Sequence, residues 1–252
     1  MLELAVIIPV YNEYNRFNME NLDHFFDVDN VSVKLFLIDD GSTDNLFFDI
    51  ESYTAIKKLN VEIVKLDFNE GKAEALRQGF LRSIEENFSI LLMADADFSA
   101  SVSEVLNLGS LLNSTGKEIV LGSRLKTSDN EIVSKISRFL AGRVFAIQVR
   151  FLFGLKIYDT QCGYKAFRNT HEFRNAISKP FLDRWLFDLE LLLRIRSQNP
   201  AKVLTWLEYP LQNWVEVPHS KVLLRQKFRA IRSLYKLKFS ILKGVEPIAG
   251  KR

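Results

Sequence analysis

The chain has 252 residues, 47% of them hydrophobic, with 11 glycines and 6 prolines. That length and apolar content suffice for a sizeable core and exclude a disordered or fibrous protein. The formal net charge of +3 conceals a division, because residues 1–126 hold 21 acids against 11 bases while residues 127–252 hold 10 acids against 23 bases, so the two halves are expected to meet different partners.

The first half alternates short β-rich runs with helical patterns. Strands are expected at Ala5–Val10, Val33–Ile38, Val61–Leu66, Ile90–Ala94 and Glu118–Leu121, with helices near Asp44–Lys58, Gly71–Asn87 and Val102–Leu112. Such alternation predicts βαβ units and a mainly parallel sheet, and strands as apolar as Leu35-Phe-Leu-Ile38 predict helices on both of its faces. The second half is expected to hold a long helix at Ile132–Phe153, an irregular stretch from Asp159 to Arg184, a helix at Trp185–Gln198, a strand at Val203–Tyr209 and a basic C-terminal helix.

Ligands of open α/β sheets bind beyond the carboxyl ends of the strands, and here those ends are polar. The first strand runs into Pro9-Val-Tyr11-Asn-Glu13, the second into Asp39-Asp40-Gly41-Ser42, the fourth into Asp95-Ala-Asp97 and the fifth into Gly122-Ser123-Arg124. Any one of these is more simply a turn or a helix cap, as expected for Asp44 and for Ser101 with Glu104. Four together at one sheet edge make a site. Asp95 and Asp97, two residues apart after a buried strand, suit a hard divalent cation, Mg²⁺ or Mn²⁺, with positions left for a diphosphate. Zinc does not fit, since His24, His171, His219 and the single Cys162 show no ligand spacing. Arg124 is placed to neutralise phosphate across the crevice, or is an ordinary surface arginine.

These residues carry a resemblance. Ile8-Pro-Val-Tyr-Asn-Glu13, Ile38-Asp-Asp-Gly-Ser-Thr-Asp44, Asn69-Glu-Gly-Lys72, Ala94-Asp-Ala-Asp97 and Gly122-Ser-Arg124 resemble glycosyltransferase family 2, which implies an α/β GT-A fold and inversion at the sugar. Asp159-Thr-Gln-Cys-Gly-Tyr-Lys-Ala-Phe-Arg168, Arg184-Trp-Leu-Phe-Asp-Leu-Glu190 and Trp214-Val-Glu-Val-Pro-His-Ser-Lys221 are similar to the dolichyl-phosphate β-glucosyltransferase branch and its bacterial relatives. The resemblance implies a nucleoside-diphosphate sugar donor, UDP-glucose first, and a polyprenyl or dolichyl phosphate acceptor. It makes residues 1–126 the nucleotide-sugar half and residues 127–252 the acceptor half of one domain. It implies that Tyr11 lies against the base, that Asp39 hydrogen-bonds it, that Asp95 and Asp97 serve the ribose and the metal-bound diphosphate, and that Glu13 and Lys72 complete the nucleotide pocket. Beside these, Pro9 is a candidate at the nucleotide, Asp95 and Asp97 are the candidate metal ligands, Asp97, Arg124 and Asp188 the candidate catalytic residues, and Gln161 and Trp185 candidates beside the acceptor. Two features depart from it. Ser99 stands where related dolichyl-phosphate mannose synthases place a third metal-ligating side chain, often Gln. The N-terminal span of the eukaryotic glucosyltransferases has no counterpart here, which points to a bacterial or archaeal source.

The acceptor divides the chemistry. A hydroxyl needs a carboxylate base, for which Asp188 is the candidate, although Phe187-Asp-Leu-Glu190 also reads as a helix N-terminal turn. A phosphate monoester is largely dianionic at neutral pH and needs only cations to position it, for which Arg124, Arg138 and Lys221 are available. Two other readings stay open: transfer of a different sugar to a saccharide or lipid hydroxyl, and a degenerate transferase that only binds nucleotide sugar or lipid. Nucleotidyl transfer lacks its glycine-rich phosphate loop.

Charged residues interrupt every apolar stretch short of the roughly 18 residues of a membrane span, and no signal peptide is recognisable. A cytoplasmic protein, peripheral on the inner membrane face, is therefore expected. Val217 to Val245 contains no acids, and at about 100° per residue Lys221, Arg225, Arg229, Arg232, Lys236 and Lys243 form one stripe, with Leu224, Phe228, Ile231, Tyr235 and Leu242 beside it. This is the pattern of an interfacial helix over anionic lipid, with a solvated helix face as the competing reading. Nucleic acid is not expected, because no aromatic platforms interleave with the bases.

Overall fold

A computed structural model describes residues 1–133, 136–199, 203–215 and 233–239, with the backbone alone for residues 136–139 and 141. Nine strands and seven helices are defined among the described residues: β1 Leu2–Val10, α1 Glu20–Asp23, β2 Val31–Asp39, α2 Leu46–Lys57, β3 Val61–Lys65, α3 Lys72–Glu85, β4 Ile90–Met93, α4 Val102–Thr115, β5 Ile119–Ser123, β6 Glu131–Val133, α5 Ile136–Phe153, β7 Lys165–Arg168, α6 His171–Ile177, α7 Phe187–Gln198, β8 Trp206–Pro210 and β9 Asn213–Val215. Residues 233–239 are also helical.

Seven strands form one sheet in the order β3-β2-β1-β4-β7-β5-β8, and β6 pairs with β9 apart from it. All pairs are parallel except those that β7 makes with β4 and β5. The alternation of the strands explains the layering. In β1, Leu4, Val6, Ile8 and Val10 pack with α2 and α4 on one face, while Ala5 and Ile7 pack with α3, α6 and α7 on the other. Rings of Phe80, Phe167 and Phe173, with centroids 5.2–5.8 Å apart, pin α3 to β7 and α6. Each such pair adds roughly 0.5–1.5 kcal/mol beyond its buried area.

The first-half elements lie where the hydrophobic patterns place them. The second half differs in two respects. The stretch expected to be irregular contains β7 and α6, because Lys165 to Arg168 enters the gap between β4 and β5 and completes their hydrogen bonding from both sides. The long helix begins at Ile136 rather than Ile132. Residues 131–133 are a strand, with Ile132 opposite Trp214 in β9 and both buried. Of the basic C-terminal stripe, Lys221, Arg225, Arg229, Arg232 and Lys243 lie outside the described residues. Within 233–239, Leu234 and Leu237 are buried while Tyr235 and Lys236 are exposed.

Candidate active site

The parallel strands β1, β2 and β4 end side by side, and their loops are tied to one another. Asn12, at φ 50°, accepts from the backbone N–H groups of Thr43 at 2.8 Å and Asp44 at 3.3 Å, and its own N–H donates to the Ser42 hydroxyl at 3.2 Å. Asp39 Oδ1 accepts from Ser42 N–H at 2.7 Å, the side-chain-to-backbone turn that Asp favours. Glu13 is held by the Arg16 guanidinium through two contacts of 2.6 Å. Pro9 is a β1 residue paired with Ile38, and Tyr11 and Asp39 thus sit at neighbouring strand ends.

Asp40 has a different task from Asp39. Its buried carboxylate accepts from the N–H of Glu70 at 2.7 Å and of Gly71 at 2.9 Å, and from the Asn69 amide at 3.0 Å. Burial raises its pKa and those backbone donors oppose the rise. This anchors the loop that delivers Lys72 to the crevice. Gly41, at φ +70°, is required beneath it, since a Cβ there would lie 2.6 Å from the Phe68 carbonyl carbon.

Beyond β4 the Lys72 ammonium contacts Asp95 Oδ1. Burial opposes charge on both partners, yet their mutual attraction lowers the Asp95 pKa and raises that of Lys72. Asp95 also faces bare backbone: a Cβ on Gly163 would lie 2.0 Å from Asp95 Oδ2 and would force the carboxylate to move. Asp97 Oδ1 accepts from the Ser99 hydroxyl at 2.7 Å and from Ser99 N–H at 3.1 Å. Ser99 therefore braces Asp97. Burial and then repulsion from Asp95 push the Asp97 carboxyl up, the situation a divalent cation relieves. Among the described residues no group of three His, Cys, Asp or Glu side chains converges for a metal. The all-oxygen pair Asp95 and Asp97 fits Mg²⁺ or Mn²⁺ with the remaining positions open to a diphosphate. Phe98, between them and Ser99, takes φ 47° and packs on Phe17 at 5.4 Å, which fixes the loop.

Across the crevice Arg124, after β5, is bound bidentately by Asp159 at 2.7 and 2.8 Å and lies 5.5 Å from the Trp214 ring. Glu208 in β8 accepts the N–H groups of Tyr158 and Asp159 and sets that carboxylate in place. Burial alone would raise Asp159, but Arg124 holds it down to about 2. Arg124 is thus a half-buried, oriented cation with two of its donors already used. Behind it, Lys165 is fully buried; it donates to Asp188 Oδ1 at 2.6 Å and to the Cys162 carbonyl. Burial raises Asp188 despite this partner, and burial pushes the Cys162 thiol up to about 12, so it is no nucleophile.

The remaining sequence candidates are less gathered. The Gln161 side-chain amide nitrogen is buried without a partner among the described residues, and so is the Thr160 hydroxyl beside it. Trp185 packs partly buried against the core next to the Asp183 cap. Arg138 lies in α5 with its side chain outside the described residues, and Lys221 is outside them altogether. Asp40, Asp159 and Lys165 are the residues the sequence left without a role. The Asp39-Asp40 doublet was the only local signal for the first; the other two lie in the Asp159–Arg168 motif, which gives no hint of their partners 35 and 23 residues away.

The family model described as Glycosyl transferase family 2 matches residues 5–172. The dolichyl-phosphate beta-glucosyltransferase of Saccharomyces cerevisiae is 32% identical over 267 residues, covering 96% of this chain and 76% of its own. That of Dictyostelium discoideum is 29% identical, covering 93% and 77%. Among solved structures, glucosyl-3-phosphoglycerate synthase from Mycobacterium tuberculosis, in complex with Mn²⁺, UDP-glucose and phosphoglyceric acid, superposes with a TM-score of 0.61 at 18% identity, covering 94% of this chain and 80% of that one.

Proposed function

The chain belongs to glycosyltransferase family 2, with a GT-A fold, and from that premise we propose that it transfers glucose, with inversion, from UDP-glucose to a polyprenyl or dolichyl phosphate. The observation that carries this reading is the Asp95 and Asp97 pair beside Asp39, in a chain that aligns over 96% of its length with a dolichyl-phosphate beta-glucosyltransferase.

Residues 1–126 supply the donor site. Tyr11 and Asp39 flank the base, with Pro9 and Glu13 shaping the pocket and Lys72 reaching the phosphates past Asp95. Asp95 and Asp97 would hold Mg²⁺ or Mn²⁺, which when bound neutralises the diphosphate leaving group. Residues 127–252 supply the acceptor site. Arg124 presents fixed positive charge to the acceptor phosphate, with Arg138, Gln161, Trp185 and Lys221 as further contacts. The acceptor oxygen is already anionic, so the chain has only to align it with the anomeric carbon. The state of Asp188 supports phosphate over hydroxyl, because its buried carboxylate is engaged by Lys165. Asp188→Asn keeps an oxygen for Lys165 but not the charge, so it should lower stability; the folded variant is expected to retain transfer within about tenfold of wild type, whereas loss of a general base costs roughly 10²–10⁴-fold. A folded, donor-binding Asp188→Asn protein that is inactive would favour a hydroxyl acceptor.

The donor choice has its own test. Calorimetry should show UDP binding more tightly than GDP, and the reverse order would replace the glucose donor while leaving the transferase. Incubation with UDP-glucose, Mg²⁺ or Mn²⁺ and a short prenyl phosphate should yield a lipid-linked glucose; no product from any nucleotide sugar would sink the reading. No helix among the described residues is long and apolar enough to cross a membrane. We place the chain peripherally on the cytoplasmic face, with the basic C-terminal segment over anionic lipid, a reading supported by that segment's run of bases without acids from Val217 to Val245.

A further inference from the structure

Helix α5 is apolar on two opposite sides. Val149 and Phe153 are buried in the core and Phe145 and Leu152 pack against it. On the other side Leu140, Val144, Ile147 and Phe151 are 56%, 53%, 67% and 88% exposed. At about 100° per residue these four fall within an arc of about 60°, a continuous stripe about 16 Å long. A helix that is apolar all round belongs in a core or in lipid, and this one is in a core on one side only. The residues around it are selected for one sign of charge. From Ile132 to Tyr158 the sequence has no acid, but has Lys135, Arg138, Arg143, Arg150 and Lys156. Arg143 and Arg150 follow the stripe along one flank, and Arg150 and Lys156 are exposed. The helical residues 233–239 lie against the C-terminal end of α5, where Lys238 donates to the Leu152 carbonyl at 2.6 Å, and Tyr235 and Phe239 are 57% and 59% exposed.

We propose that this outward face of α5 inserts into an anionic lipid bilayer, with Leu140, Val144, Ile147 and Phe151 among the acyl chains and the exposed Arg150 and Lys156 at the headgroups, while Arg143 is held against Tyr158. The choice of a bilayer as occupant rests on the lipid-phosphate reading above and on this charge complementarity. Such a helix lies in the interface plane, about 5–10 Å deep, and β6 and β9 connect it to the site, since Val215 N–H donates to the Ser99 carbonyl at 2.9 Å beside Asp97.

The test uses the full chain and flotation with phosphatidylglycerol–phosphatidylcholine vesicles, with pure phosphatidylcholine as the neutral arm. Wild type should float with the anionic vesicles. Ile147→Asp with Phe151→Asp should lose at least about tenfold in partitioning, while Ile147→Leu with Phe151→Leu floats as wild type. UDP binding should be the same in all three, which shows that the fold survives. Transfer to an acceptor embedded in vesicles should fall in the Asp variant, and transfer to a short water-dispersed prenyl phosphate should not. Equal flotation of the Asp variant overturns the proposal. So does a wild type that ignores anionic vesicles and self-associates by light scattering until the Asp pair is introduced, which would make the face a contact between copies. Flotation that depends on the stripe in a protein that glucosylates no prenyl phosphate would leave the membrane face standing and remove the acceptor reading alone.

Discussion

Asp97→Asn is expected to lower turnover by on the order of a hundredfold to a thousandfold, the range seen when one preorganised stabiliser of transition-state charge is removed. UDP-glucose binding by the variant should become insensitive to Mg²⁺ or Mn²⁺. The substitution is conservative in shape, because an Asn oxygen can still accept from the Ser99 hydroxyl that now donates to Asp97 at 2.7 Å. What is lost is charge. The sign of the accompanying stability change follows from the direction of the shift: burial and Asp95 raise the Asp97 carboxyl, so the folded protein holds that proton more tightly than the unfolded chain. Such a carboxylate costs stability progressively as pH rises through its folded pKa. At neutral pH the Asn variant should therefore melt higher than wild type while turning over less, and wild-type cation affinity should rise as pH climbs through that same window. Turnover with unchanged metal dependence, measured by titrating the cation, would remove Asp97 from the ligand role.

Lys165→Met should destabilise the fold by about 3–5 kcal/mol, the usual cost of stranding one member of a buried ion pair. Lys165 is fully buried and Asp188 is 6% exposed, so no solvent can replace the missing partner. Removing both, as Lys165→Met with Asp188→Leu, should recover most of that loss, because an apolar pair of similar volume carries no desolvation cost. Urea unfolding of the two variants beside wild type gives the comparison. A single variant as stable as wild type would show that Asp188 takes up its proton freely, and would return it to candidacy as a base. The double variant distinguishes this from simple misfolding, since it should be more stable than the single one.

The positions of the strand-end carboxylates of the candidate site were legible because their signals are local. Strands β1, β2 and β4 are continuous apolar runs that stop at charged residues, and a run buried on both faces can stop only at the sheet edge. Asp39, Asp95 and Asp97 follow such runs directly, so their placement required no knowledge of distant contacts. Lys72 was legible for the same reason, lying just after the Gly71 turn that starts α3. Ser101 capping Glu104 N–H held as a cap, but Glu104 turns away to accept from Gln212 N–H at 3.0 Å, a partner 108 residues on.

By itself, then, the sequence determined the parallel half-sheet, its two covered faces and the acidic strand ends, since each depends on periodicity within one element or on the residue that follows it. Tertiary structure alone decided the rest. The antiparallel β7 is only four residues long and carries Lys165 and Arg168, so it reads as a loop until β4 and β5 supply partners on both sides. Arg124 reads as a free phosphate ligand until Asp159 is folded onto it, and Asp188 as a free base until Lys165 is buried beneath it. The stripe on α5 was hidden by its own opposite face, because a helix apolar on both sides has almost no amphipathic signature. Only the packing of Val149 and Phe153 into the core shows which side was left outside. In each case the deciding interaction joins residues far apart in the chain, where periodicity has no information to give.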